Sequence, residues 1–263
     1  MIGEKQMKRI TSIILAMLLA LSCIACGSED YKGGQVTGLN QEENVDETSE
    51  DTVEKAVEEV AEENVEEAEE EVADEGKELS LGRLQGGVYT NEYFGGACEL
   101  DSSWTFYSAE ELQELPETVS EMMSETELGD SLSDLSHIVD MKAENETDLT
   151  VINIGYQKLS AQERLAALGM NEKELVDLTL AEADLLKETY AQMGITVEEI
   201  SAKTVTFMGE ERTAVYTKAK VQEMDYYILQ LFDYHLGEYA VTITFNSYIE
   251  DKTESLLDLF YAI

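Results

Sequence analysis

The sequence is short of the residues on which most reaction chemistry depends, with two histidines, three cysteines, one tryptophan and a single proline in 263 residues. Each scarcity excludes something. With only His137 and His235, a zinc centre of histidine and cysteine lacks ligands, and no His-Glu-x-x-His pair occurs. Both histidines read as solvated or packed side chains. The glycine-rich phosphate loops, the Gly-x-Ser-x-Gly elbow and the spaced acids of an EF-hand loop are also missing, so neither cofactor nor metal is expected. Basic residues number 17 against 57 acidic ones, a formal net charge of −40, and no Lys/Arg cluster follows Arg9. Nucleic acid is therefore not an expected partner. The carboxylates are so numerous that any two could meet a glycosidase spacing by chance. A carboxylate-dependent hydrolase stays open as an alternative without a motif of its own.

Long apolar runs are missing too. The most apolar stretch, Ile10 to Leu21, is about a dozen residues, where a membrane-spanning helix needs roughly 20. Lys5, Lys8 and Arg9 precede it, as the basic segment of a signal peptide precedes its apolar core. Met7 is an alternative start, because Met7-Lys8-Arg9 already supplies a compact basic segment. The run Ile24-Ala25-Cys26-Gly27-Ser28 resembles the lipobox of bacterial lipoprotein precursors. Residues 1–25 are thus expected to be a signal peptide and Cys26 the lipid acceptor, with Cys23, after Leu21-Ser22, as the alternative. The resemblance implies a diacylglyceryl group on Cys26, cleavage before it, and a chain anchored to the outer face of the cell membrane. Two acyl chains, at about 0.8 kcal/mol per buried methylene, hold where one is marginal. Cleavage removes Cys23, so the Cys-x-x-Cys spacing is not read as a redox dithiol, and Cys98 remains as a small buried hydrophobe.

From Gly27 to Ser80 the chain carries 21 Asp or Glu against three Lys, with Tyr31 its sole aromatic residue. Such a stretch buries too little apolar surface to offset chain entropy. Residues 26–80 are expected to form an acidic, low-complexity spacer, mostly disordered or weakly helical along Val53, Val57, Val60, Val65, Ala68 and Val72. Its many like-charged i,i+4 pairs oppose the helix. As a flexible coil it spans about 40 Å and lifts the C-terminal part of the chain clear of the lipid.

Residues 81–263 have the length and pattern of one α+β domain. Gly86-Gly87 opens a strand over residues 88–94, Gly95-Gly96 turns it, and residues 97–101 return as a second strand. Ser108 and Glu111 form a capping box, and Pro116 breaks the helix it starts, with Val119, Met122 and Met123 facing the core. Strands are expected at 138–143 and 149–156. Asn171 and Glu174 then cap one long helix whose stripe is Leu175, Leu178, Leu185, Leu186, Tyr190 and Met193, ending at Gly194. A meander comes next: 204–207 and 212–221, then 226–234 and 239–245. In the last strand Tyr239, Val241, Ile243 and Phe245 make an apolar face, whereas residues 226–232 are apolar on both. A closing helix over 253–262 packs Leu256, Leu257, Leu259 and Phe260.

Thirteen tyrosines are many for this length. Tyr226, Tyr227, Tyr234 and Tyr239, with Tyr248 nearby, are the candidate binding surface, for they could wall a site for a peptide, a glycan or a protein. The competing reading is that alternate rings fill the core.

Tyr93-Phe94-Gly95 followed by Leu100-Asp101-Ser102-Ser103-Trp104 is similar to the start of the PsbP/Mog1-like family, with Asp101 where that family often has proline. The turn Phe207-Met208-Gly209-Glu210-Glu211-Arg212 resembles its glycine-containing hairpin. The element order also resembles that of Firmicutes-type lipoproteins. These resemblances imply a mainly antiparallel sheet with helices packed on it, an α/β/α sandwich, acting as a non-catalytic binding or assembly module. The expected partners are the membrane, through the lipidated cysteine, and a protein or ligand that the residues leave open. A solute- or glycan-capturing lipoprotein is the other alternative.

Overall fold

The computed structural model describes residues 77–115, 137–192, 194–234 and 237–263. The stretches read as signal peptide and, up to Gly76, as spacer, with Cys23 and Cys26, lie outside them, as do Pro116, Val119, Met122, Met123, Met193 and His235.

In chain order the strands are β1 (Arg83–Gln85), β2 (Val88–Asn91), β3 (Gly96–Glu99), β4 (Thr105–Phe106), β5 (His137–Asn145), β6 (Thr150–Lys158), β7 (Ile195–Phe207), β8 (Glu210–Val221), β9 (Met224–Asp233), β10 (Tyr239–Tyr248) and β11 (Phe260–Ala262). The helices are α1 (Ala161–Leu168), α2 (Glu172–Ala181), α3 (Ala183–Gln192) and α4 (Thr253–Leu257). A further helical stretch, 109–115, starts at the expected cap: Glu111 N–H donates to Ser108 Oγ at 3.3 Å, and Ser108 N–H to Glu111 Oε2 at 2.7 Å.

The architecture is the expected α+β class, and its sheets are antiparallel throughout. Seven strands run in the order β4-β5-β6-β10-β9-β8-β7. On one face α2 and α3 bring Leu175, Val176, Leu186 and Tyr190 against Val215, Ala219, Tyr226, Ile228 and Phe232. The other face is covered by α4 and the small sheet β1-β2-β3-β11, whose Tyr89, Cys98 and Phe260 meet Ile152, Ile154, Leu229, Ile243 and Phe245. Both faces of the central strands are thus dry, which is why β9 reads as continuously apolar.

Several elements differ from expectation, each for a local reason. β2 stops at Asn91, because its side-chain Oδ1 accepts the N–H groups of Tyr93 (2.8 Å) and Phe94 (3.3 Å) and turns the chain before Gly95. Gly86 and Gly87, at φ 62° and 85°, make a two-residue hairpin to the unexpected β1. An unexpected α1 starts from a second capping box, Ser160 with Glu163. The expected long helix is two, parted at Glu182 (φ −103°, ψ 21°), where the stripe passes from Leu175, Val176 and Thr179 to Leu186, Thr189 and Tyr190. β7 begins at Ile195 rather than residue 204, with a bulge between Val197 and Glu199 that breaks the alternation. The closing helix ends at Leu257, and Phe260 enters a strand opposite Cys98.

The fold also takes in the end of the stretch read as spacer. Lys77 Nζ donates to the carbonyls of Glu92 and Tyr93, its backbone bridges to Gly237, and Leu79 packs on the core.

The β8–β9 turn places two successive non-glycine residues in the left-handed region. Gln222 and Glu223 link β8 to β9 with φ of 49° and 71°, a left-handed pair that costs an L side chain about 1 kcal/mol or more per residue. Replacing the pair with Asn-Gly is expected to raise stability by about 1 kcal/mol in urea titration, because both residues tolerate that region.

Candidate functional site

The polar interior concentrates in two places, one on each face of the large sheet. On the face shared with the small sheet, the β5 bulge between Val139 and Met141 turns Asp140 toward β1 and β2. Its carboxylate accepts the Gly82 N–H at 3.0 and 2.9 Å, the Tyr89 hydroxyl at 2.5 Å, the Asn91 amide at 2.8 Å and the Tyr156 hydroxyl at 3.4 Å. Asn91 also donates to Tyr156 Oη at 2.7 Å. Tyr156 in turn meets Tyr93 edge-on at 5.6 Å, and the Tyr93 hydroxyl donates to the Tyr239 carbonyl at 3.0 Å. Gly82 fits because any Cβ there would collide with the Tyr89 ring at 2.2 Å. Burial, reinforced by the Asp140 charge, pushes the Tyr89 and Tyr156 hydroxyls far above the ordinary phenol value. Both phenols are therefore locked as neutral donors, and the cluster works as a pin between sheets.

The helix-facing side carries a belt of polar residues where a core would usually be apolar. Pairing places Lys142, Asn153, Thr244 and Gln230 in one row across β5, β6, β10 and β9, and all four are fully buried. Gln230 Nε2 donates to Thr244 Oγ1 at 3.1 Å. At the rim, Lys142 Nζ lies 2.7 Å from Glu144 and 3.9 Å above the Tyr107 ring, whose hydroxyl donates to Glu144 at 2.8 Å. Burial and then the Glu144 carboxylate raise the Tyr107 hydroxyl well above its usual range. Neighbouring rows add Thr242 and Asn246, the latter accepting from Tyr226 Oη at 2.8 Å, then Gln157 and Tyr234 on either side of Ala240. Gln157 Oε1, Tyr234 Oη and Asn246 Nδ2 are buried and reach no partner among the described residues. The belt is thus a buried row of neutral donors and acceptors with one cation, paired to Glu144, at its end.

The tyrosines singled out in the sequence do not share one surface. Tyr226 and Tyr234 are buried on the helix side, and Tyr226 stacks on Tyr248 at 4.7 Å. Tyr239 packs on the opposite side next to Tyr93, and Tyr227, alternating with Tyr226, also faces away from the helices. Cys98 is fully buried opposite Tyr89, and desolvation pushes its thiol up to about 12. Among the described residues no three His, Cys, Asp or Glu side chains converge as metal ligands would. Asp140 and the belt escaped sequence reading, since an acid and alternating threonines within strands look like a solvated face.

Among solved structures the chain is similar to the solution structure of cyanobacterial PsbP (CyanoP) from Synechocystis sp. PCC 6803, at 11% identity and a TM-score of 0.38. That neighbour is a PsbP protein. The overlap covers 72% of this chain and 96% of the other. At this level the likeness carries no function across, and the architecture rests on the strand order and packing above. No protein-family model and no curated protein matches the chain.

The Asp140 pin has two testable consequences. Asp140→Ala strands three buried donors and is expected to cost about 3 kcal/mol, lowering the thermal midpoint by roughly 6–12 °C. The alkaline limb is set by the phenols. Unfolded tyrosines ionise near about pH 10, whereas folded Tyr89 and Tyr156 hold their protons, so their contribution is complete below that pH and is lost above it. Thermal midpoints measured across pH 8–12 should be flat at first and fall above about pH 10, less steeply in Tyr89→Phe.

Proposed function

We propose that the protein is a lipid-anchored binding or assembly module on the outer face of the cell membrane, held by Cys26 and displayed on an acidic tether. The run Lys8-Arg9, a short apolar core and Ala25-Cys26-Gly27-Ser28 carry this reading, because together they form an export signal ending at an acylated cysteine. The acidic stretch to Gly76 fits a tether: it repels itself and anionic surfaces alike, and so keeps the domain extended into solution. The domain's resemblance to PsbP-like sequences supports a binding role over catalysis. Asp140 is surrounded by phenols, an amide and a backbone N–H rather than by a second acid, which does not favour a carboxylate hydrolase there.

A second reading, capture of a small polar solute, is favoured by the Gln157, Tyr234 and Asn246 atoms of the belt that are buried and lack a partner among the described residues. The partner decides between them. Crosslinking from intact cells that returns a protein bound to the domain supports the assembly reading, and native mass spectrometry that returns a bound small molecule supports the second.

The anchor has a direct test. Cys26→Ala is expected to move the protein from the membrane fraction to the medium, while Cys23→Ala leaves it on the membrane. Retention of the Cys26 variant and release of the Cys23 variant would reassign the lipid to Cys23.

A further inference from the structure

At one end of the large sheet three exposed apolar side chains sit on neighbouring strand ends. β6, β10 and β9 lie side by side, and Ser247 pairs with Thr150 on one flank and Tyr227 on the other, so the start of β6, the end of β10 and the start of β9 share that end. Leu149 precedes β6, Ile249 follows β10 and Met224 opens β9. Two backbone bonds join them: the Tyr248 N–H donates to the Leu149 carbonyl at 3.0 Å, and the Ile249 N–H to the Asp225 carbonyl at 2.8 Å. Leu149, Met224 and Ile249 are 41 %, 44 % and 59 % exposed. A single exposed apolar residue is ordinary, but three adjoining ones at turns mark a contact surface.

The backbone sharpens the point. Leu149 and Ile249 sit at φ 54° and 69°, a region that glycine enters freely and a β-branched side chain almost never does. Folding alone would favour glycine at both positions. Leucine and isoleucine there work against stability and hold two apolar side chains out in water, a trade made at sites of contact.

Charge around this tip names the kind of partner. Its two lysines are already taken, Lys220 by Asp225 and Lys252 by Asp148, each at 2.7 Å. Glu146, Glu223 and Glu250, one on each turn, are exposed and make no ion pair among the described residues. An apolar tip with unpaired acids, on a chain of net charge −40, repels an anionic lipid surface and a second copy of itself alike. It attracts an apolar segment flanked by lysine or arginine. We infer that this tip docks a basic, apolar segment of another protein, with Leu149, Met224 and Ile249 as the dry centre and the three glutamates as the rim. The inference rests on the binding-module reading above and adds the partner's chemistry to it.

Calorimetric titration of the full chain with a synthetic amphipathic peptide of leucine and lysine tests the tip. The acidic stretch also attracts lysine, so variants of the tip carry the readout. The double variant Leu149→Gly, Ile249→Gly removes the apolar centre and relieves the backbone; it is expected to weaken binding at least about tenfold while the thermal midpoint stays level or rises. Glu223→Lys is expected to weaken binding about fivefold and to flatten its salt dependence, whereas the charge-matched Glu188→Lys, on an exposed position of α3, leaves binding within about twofold of wild type. No measurable binding by the wild type overturns the inference. Binding indifferent to the double glycine variant, or weakened as much by Glu188→Lys as by Glu223→Lys, also overturns it by placing the peptide elsewhere on the chain, and leaves the binding-module reading to its own crosslinking test. Binding of the wild type to phosphatidylcholine vesicles that the double glycine variant loses would overturn it in favour of a membrane surface.

Discussion

Covering both faces of a seven-stranded sheet is the constraint on which this fold depends, and on one face the cover is small. The sheet β1-β2-β3-β11 has strands of only three or four residues, at the short end of the usual range. It is tied down by one carboxylate. Asp140, presented by a bulge in β5, takes donors from Gly82 and from the β2 residues Tyr89 and Asn91, together with Tyr156 of its own sheet. Each donor is buried or nearly so, and an unpaired donor in that setting costs far more than a formed bond contributes. The ion therefore specifies where the small sheet sits as much as it stabilises it. Around this pin the apolar contacts of Tyr93, Cys98, Leu256 and Phe260 complete the seal.

The opposite face shows a different balance. α2 and α3 cover the β7–β9 side with leucine, valine and tyrosine, an ordinary apolar contact. Toward β5 and β6 the sheet becomes polar while remaining buried, with Lys142, Asn153, Thr244 and Gln230 in one row. Residues of this kind weaken a core unless they are satisfied. Within the row Gln230 meets Thr244 and Lys142 meets Glu144.

How much of this is legible in the sequence depends on how far each signal reaches. Capping is local chemistry, so Ser108 with Glu111 and Asn171 with Glu174 can be read directly; Ser160 with Glu163 carries the same signature ahead of a helix of only eight residues, and there it is easily missed. Alternation locates β5, β6, β9 and β10 within a few residues. It fails for the first half of β7, where Glu198-Glu199 and a bulge break the period, and for β11, whose three residues become a strand only because β3 is there to receive them. The polar belt could not be read, because Ala240, Thr242, Thr244 and Asn246 look like the wet side of a half-buried strand and only the covering layer makes them dry. The tyrosines mislead for the same reason: adjacent rings such as Tyr226 and Tyr227 point to opposite faces, so a cluster in the chain is not a cluster in space.

The acidic stretch of the sequence ends at Lys77, which docks on the carbonyls of Glu92 and Tyr93 beside the small sheet. The small sheet that receives it depends on Asp140 for its place. Native-state hydrogen exchange comparing wild type with Asp140→Asn tests that dependence most directly. The account predicts that the β1, β2 and β3 amides lose protection in the variant while those of β6, β9 and β10 keep theirs. Equal loss across both sheets, or unchanged protection in β1–β3, would contradict it.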